Sequence, residues 1–341
     1  MKFIDLCASL AAVGAASAAP AQDGPLNKRA DFQFVGVNVA GGEFGIGTYP
    51  GQLNKDYVWP DKAALDKLQG EGMNSFRVAF SMERAVPDKL DGTVNETYFA
   101  GLEDSVNYIT GKGAYAILDP HNFGRYYDKI ITDTAGFQTW WKTIATRFKD
   151  NSKVIFDTNN EYHDMENKLV VDLNQAAVNG IRDAGATSQF IFLEANAWSG
   201  AWAFVESGSA EAMKNIEDPS DSTGSKLFYE LHQYLDSDGS GTSETCVSAN
   251  IGVERLNLAT PWFKANGKKA MLGEIAGASN PTCIEALKNA LQHVSDNSDV
   301  WAGFLLWSAG PWWGDYMFSM EPPSGAMYTG VFPSIKTFFN A

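Results

Sequence analysis

From residue 34 onward the chain alternates between two hydrophobic rhythms. Eight short runs are almost continuously apolar: Phe34–Val39, Ser75–Phe80, Tyr115–Asp119, Val154–Asp157, Phe190–Glu194, Leu227–His232, Ala270–Glu274 and Trp301–Trp307. Runs of this length without polar alternation predict strands buried on both faces, as in a parallel sheet. Between them, apolar residues recur at the 3.6-residue spacing of amphipathic helices, most clearly over Leu169–Ala184 and Ile284–Val294. Gly113 and Gly267 stand where helices should stop. Eight strand-then-helix units predict an α/β fold of the (β/α)8 barrel type in one domain. An open doubly wound sheet is the alternative. No internal repeat and no Ser/Thr/Pro-rich linker interrupts the pattern.

Composition narrows the partners. The chain has 341 residues, 45% of them hydrophobic, which allows a large core without oligomerisation, so a monomer is expected. The formal net charge is -15. That sign disfavours nucleic acid and anionic membranes and suits a neutral substrate. At the N-terminus, Lys2, an apolar small-residue stretch from Leu6 to Ala19 and Ala16-Ser17-Ala18 have the form of a signal peptide over residues 1–19. Lys28-Arg29 then has the form of a processing site, giving a short propeptide at 20–29 and a mature domain at 30–341. The product would be secreted. No other stretch reaches the roughly 20 apolar residues of a membrane span. With Cys7 removed in the signal, Cys246 and Cys283 remain, and an oxidising compartment predicts a disulfide between them. Asn95-Glu96-Thr97 is an N-glycosylation acceptor sequence.

In a barrel of this kind the site forms where the strands end, at their C-terminal face. Polar and aromatic side chains gather at those positions: Arg77 on strand two, Asp119-Pro120-His121-Asn122 after strand three, Asn159-Asn160-Glu161 after strand four, Glu194 on strand five, His232-Gln233-Tyr234 after strand six, Glu274 on strand seven and Trp307 on strand eight. One strand-end Glu is ordinarily a solvated residue. Two, Glu161 and Glu274, facing one mouth lined by Trp, form the carboxylate pair of glycoside hydrolysis. There one carboxyl protonates the glycosidic oxygen while the other attacks the sugar carbon.

The segments Leu118-Asp119-Pro120-His121-Asn122, Phe156-Asp157-Thr158-Asn159-Asn160-Glu161-Tyr162-His163-Asp164, His232-Gln233-Tyr234-Leu235-Asp236-Ser237-Asp238-Gly239, Gly273-Glu274 and Trp312-Trp313-Gly314-Asp315-Tyr316 resemble glycoside hydrolase family 5, in particular its small single-domain fungal endoglucanases. The resemblance spans the mature chain. It implies endo-hydrolysis of β-1,4-glucan with retention; no cofactor is expected, and no catalytic metal, since no H-E-x-x-H spacing exists. It also implies roles: Glu161 as acid/base, Glu274 as nucleophile, Arg77 orienting the nucleophile, His121 lining the reacting subsite, Asn160 on the sugar 2-hydroxyl, His232 and Tyr234 beside the carboxylates, and Trp307 as a sugar platform. Asn122 stands beside His121 as a supporting candidate. The family motif Asn-Glu-Pro is here Asn160-Glu161-Tyr162, a departure that bears on local backbone geometry rather than on the carboxylate.

Other signals are weaker. Trp198, Trp312 and Trp313 are open between sugar contact and packing, with Trp198 kept as a binding candidate, while Trp140, Trp141 and Trp262 fall in helical patterns and read as packing. Asp236-Ser237-Asp238-Gly239-Ser240-Gly241 begins like a calcium loop, but Val247 replaces the acidic twelfth residue, so a turn is expected. There is no H-E-x-x-H and no G-x-S-x-G. Rival readings on the same barrel are a β-mannanase, an exo-β-glucanase and a non-catalytic sugar-binding protein.

Overall fold

The computed structural model describes residues 32–339; the expected signal peptide and propeptide lie outside that span. Eight strands, β1 (Phe34–Val39), β2 (Ser75–Phe80), β3 (Tyr115–Pro120), β4 (Val154–Asp157), β5 (Phe190–Glu194), β6 (Leu227–His232), β7 (Ala270–Ile275) and β8 (Trp301–Ala309), pair in parallel in sequence order. β1 closes the ring on β8, Phe34 beside Gly303 and Val37 beside Leu306. Closure excludes the open doubly wound sheet. Helices connect the strands, among them Glu96–Gly111, Thr134–Thr146, Asn167–Asp183, Ile251–Asn266 and Pro281–Asp296. Asn95, Asp133 and Asn280 cap three of these through side-chain oxygens, each satisfying an end N–H that the helix leaves open. Gly113 and Gly267 sit at helix ends with φ of 86° and 61°, left-handed conformations that cost glycine little.

The core has two layers. Outside the ring, the helices pack on the strands, with Trp140 and Trp141 fully buried and Trp262 half-buried against Phe204 and Phe263. Inside it, Phe34, Ile117, Ile155, Phe192, Phe228, Met271 and Leu305 form a separate plug. Strand side chains alternate with a period of two. Residues an even number of positions further along several strands therefore also face inward, nearer the mouth: Asp119, Asp157, Glu194 and Glu230, each two beyond a plug residue, and Asn38, four beyond Phe34. All five are buried. An apolar floor thus carries a polar layer, and the strand ends stand above it.

Cys246 and Cys283 form a disulfide with Cα atoms 5.3 Å apart. It ties the loop after β6 to the start of the helix Pro281–Asp296. An antiparallel pair missing from the sequence pattern, Arg125–Tyr126 with Lys129–Ile130, lies in the loop after β3. The loop at Asp236 is a turn, as expected. Its carboxylate accepts from the backbone amides of Gly241, Thr242 and Ser243.

Candidate functional site

Arg77 organises the polar layer. Its side chain is fully buried, and five carboxylates reach it: Asp119 at 3.0 Å, Asp157 at 2.7 Å, Glu194 and Glu274 at 2.9 Å, and Glu230 at 3.1 Å. It also donates to Asn38 Oδ1 and Asn160 Oδ1. So many acids around one cation cannot all ionise freely, because each buried charge needs a partner. Burial alone would favour a neutral guanidine, but the surrounding carboxylates hold Arg77 well above its ordinary pKa.

The acids divide. Burial would push Asp119 up, but Arg77 and His121 outweigh it and keep this carboxyl below its ordinary value. His121 Nδ1 lies 2.8 Å from Asp119 Oδ2. Burial acts to depress His121, yet Asp119 prevails and raises it to about 9. Asp157 goes the other way, raised well above its ordinary value by burial and by Glu230. Burial raises Glu194 to about 7, against the pull of His232 and Arg77.

Glu161 and Glu274 project into the mouth above this layer. One carboxylate oxygen of each, with one nitrogen of His232, falls within a 4.8 Å cluster. Glu274 Oε1 accepts from Arg77, and its Oε2 accepts from the Tyr234 hydroxyl at 2.6 Å. Burial lifts the Glu274 pKa above its ordinary value, while His232 and Arg77 oppose the rise. Glu161 Oε1 lies 2.7 Å from His232 Nδ1. The Glu161 backbone is left-handed, with φ of 48°, and its N–H donates to Glu194 Oε2 at 2.6 Å. Glu194 therefore joins the backbone of one mouth carboxylate to the guanidinium that holds the other. Burial works against a charged His232, but Glu274 and Glu194 raise it well above the usual range.

The remaining candidates sort by geometry. Asn160 accepts from Arg77 at 2.8 Å, and its Nδ2 lies 3.4 Å from His121 Nε2. Trp307 stacks on the His121 ring, with centroids 5.4 Å apart, and shares a cavity of about 610 Å³ with both glutamates. Asn122 is turned away from the pair. Its Nδ2 donates to both Glu83 oxygens and its Oδ1 accepts from Met82 N, so it braces the loops after β2 and β3. Tyr162, in the place of the family proline, is buried, and its carbonyl accepts from Trp198 N. Trp198 is 48% exposed. One face of its indole lies flat on His163 at 4.5 Å, and Ala197, Trp198 and Ser199 all have φ near 50°, a run that non-glycine residues adopt only under constraint. With Phe123 and Trp202 it lines a cavity of about 400 Å³ beside Glu161. Trp313 packs between Phe44 and Tyr316, while Trp312 stays exposed. Asn95 is the cap of its helix and half-buried.

Sequence reasoning missed Asn38, Asp157 and Glu230 as parts of this network and noted Glu194 only as a strand end. A signal existed. Each stands an even number of residues beyond an inward-facing residue on its strand, and a position packed against the helices would leave such a polar side chain unpaired.

Residues 33–310 match the family model described as Cellulase (glycosyl hydrolase family 5). The chain is 55% identical over 308 residues to endo-beta-1,4-glucanase A of Emericella nidulans, covering 90% of this chain and 93% of that one. It is 50% identical over 340 residues to endo-beta-1,4-glucanase B of the same organism, covering both in full. Among solved structures, XacCel5A in complex with cellopentaose superposes with a TM-score of 0.85 at 33% identity, over 90% of this chain and 99% of that one.

Proposed function

The chain belongs to glycosyl hydrolase family 5, and from that premise we propose how its own residues cleave a β-1,4-glucan. It is an endo-β-1,4-glucanase. The mannanase, exo-glucanase and non-catalytic readings are not favoured. Glu274 attacks the anomeric carbon and Glu161 protonates the departing oxygen, then deprotonates the water that releases the sugar. The observation that carries this is the short separation of the pair, within 4.8 Å oxygen to oxygen. Retaining enzymes hold their carboxyls about 5–5.5 Å apart, whereas inverting ones need roughly 6.5–9.5 Å to admit a water.

The partners of each carboxyl fit its role. Arg77 and Tyr234 both donate to Glu274, which favours its charged form and fixes its orientation for attack. Glu161 is tied to His232 instead, a group able to exchange a proton as the acid becomes a base. Asn160 and His121 border the reacting ring, Trp307 lies beneath it, and Trp198 offers its free face to the leaving sugar. We also place the enzyme outside the cell as a monomer. The disulfide supports an oxidising compartment, as does the N-terminal signal pattern. Among the described residues no helix is long and apolar enough to cross a membrane. Asn95 is proposed as a glycan site, since its cap bond uses Oδ1 and leaves the amide nitrogen free of that contact.

Azide separates the two roles. Glu161→Ala should still form the glycosyl-enzyme from a dinitrophenyl cellobioside, whose leaving group needs no proton, and azide should accelerate it and yield the β-azide. Glu274→Ala should give the α-azide by direct displacement. Swapped anomers would reverse the assignment.

A further inference from the structure

Asp157 and Glu230 lie below the reacting carboxylates and have no part in the steps above. Both are fully buried, and both contact Arg77 at its Nε, Asp157 Oδ2 at 2.9 Å and Glu230 Oε1 at 3.1 Å. Asp157 Oδ1 and both Glu230 oxygens have no hydrogen-bond partner among the described residues, the approach of Glu230 Oε1 to Arg77 being an ion-pair contact only. A buried carboxylate oxygen left bare is costly. The site also makes room for this acid: a Cβ on Gly273 would lie 1.8 Å from Glu230 Oε1, so glycine next to Glu274 is what lets the carboxyl sit there.

Charge counting sharpens the point. The groups facing this layer are Glu43 from the loop after β1, Arg77 from β2, Asp119 and His121 from β3, Asp157, Glu161 and Tyr162 from β4 and its loop, Glu194 from β5, Glu230, His232 and Tyr234 from β6 and its loop, and Glu274 from β7. Asp119 is paired with His121, and His232 stands against Glu161 and Glu194. Arg77 then faces Glu274, Asp157 and Glu230, with Glu194 shared between it and His232. If all three were ionised, its single charge would be divided among them, and the hold on Glu274 would weaken.

We propose that Asp157 and Glu230 share one proton and act as a positioning pair. Together they present Arg77 with a single negative charge and leave the guanidinium able to keep Glu274 ionised. The pair is a unit: if one member loses its acidity, the other gives up the proton, and the summed charge is unchanged. The inference rests on Glu274 being the nucleophile.

The experiment is a double-mutant pH profile. Asp157→Asn, Glu230→Gln and the double variant are compared by kcat/KM against pH on a dinitrophenyl cellobioside, whose acidic limb reports ionisation of the nucleophile. Each single variant should keep that limb close to its original position. The double variant, with one negative charge fewer, should move it to lower pH by about one unit or more. Single variants that each move the limb as far as the double one would mean two independent charges and overturn the pair. An infrared measurement covers loss of folding. Glu161, as the proposed general acid, and Glu194 also supply protonated carboxyls above the acidic limb, so the readout is a difference. Asp157→Asn and Glu230→Gln should each lose one protonated-carboxyl stretch relative to the unmutated enzyme, and a loss in only one of the two variants, or in neither, also overturns the proposal. That spectrum does not depend on which glutamate attacks, and the azide products decide that point separately.

Discussion

Replacing Arg77 by Met keeps the length of the side chain and removes the cation that five buried carboxylates share. Breaking a buried ionic cluster by deleting one sign of charge costs about 3–5 kcal/mol. Here the cost should depend on pH, and its sign can be worked out. Without Arg77 the folded-state pKa values of Asp119, Glu194 and Glu274 all rise, since the guanidinium lowers each of them now. A carboxyl whose folded pKa is raised contributes stability below its unfolded pKa and loses it as pH climbs through the folded value. The variant should therefore be nearly as stable as the parent near pH 4, where these groups can hold protons. The deficit should grow to about 3–5 kcal/mol by pH 7. Urea unfolding at several pH values measures this. Catalysis supplies a second readout. The acidic limb of kcat/KM on a dinitrophenyl cellobioside should move up by about 1–3 units, the shift expected when a close opposite charge is lost from the proposed nucleophile. Arg77→Lys should recover the charge but not the fork, and so only part of either effect. An unmoved acidic limb with a pH-independent stability loss would show that Arg77 fills space rather than setting the ionisation of Glu274.

Three further outcomes follow from the same geometry. The pKa values of Glu194, raised to about 7, and of His121, raised to about 9, give stability that is complete at low pH and falls as pH rises through those values, so thermal melting should be highest in the mildly acidic range; Glu194→Gln should flatten the decline between about 4.5 and 7, and an unchanged melting curve would refute that assignment. Trp198→Ala should remove a sugar contact of about 60 Å², worth ~1.5 kcal/mol at ~25 cal/mol per Å², and so lower kcat/KM on long cello-oligosaccharides roughly tenfold while leaving short aryl glycosides almost unaffected; equal losses on both would mean a folding role. Replacing Cys246 and Cys283 by Ser opens a loop with a sequence separation of 37 and should cost about 4 kcal/mol in the chain-entropy model, read by urea midpoint, whereas an unchanged midpoint would show that the cross-link constrains nothing.

The fold was legible because a parallel barrel hides its strands from water on both sides. Phe34–Val39 and Ser75–Phe80 read as strands directly, with the observed limits. The helices Asn167–Asp183 and Pro281–Asp296 start two and three residues earlier than their apolar periodicity indicated, because their first residues are polar or exposed and carry no apolar period; in the second the Asn280 side chain also caps the first turn. The two-residue strands at Arg125–Tyr126 and Lys129–Ile130 are too short to carry any period.

The site was legible at strand ends and opaque one layer below them. Arg77, His121, Asn160, Glu161, His232, Tyr234, Glu274 and Trp307 converge, whereas Asn122, beside His121 in sequence, spends its amide on Glu83, a contact no local pattern encodes. Asp157 and Glu230 were overlooked because a terminal acid in Val154–Asp157 and an acid inside Leu227–His232 look like ordinary strand polarity. Counting by two from Ile155 and Phe228, both in the inner plug, would have turned them inward. The same counting fails for Glu274. Counting by two from Met271, also in the plug, makes Gly273 the next inward position and would send Glu274 outward, toward the helices. The β6–β7 register slips between Leu231 beside Leu272 and His232 beside Glu274. That irregularity re-aims the side chain into the mouth, as β-bulges near active sites do. Gly273, the residue at the slip, also leaves the space that the Glu230 carboxyl occupies. One glycine thus permits both the turn that presents the proposed nucleophile and the buried acid beneath Arg77, so a substitution there should disturb the two together.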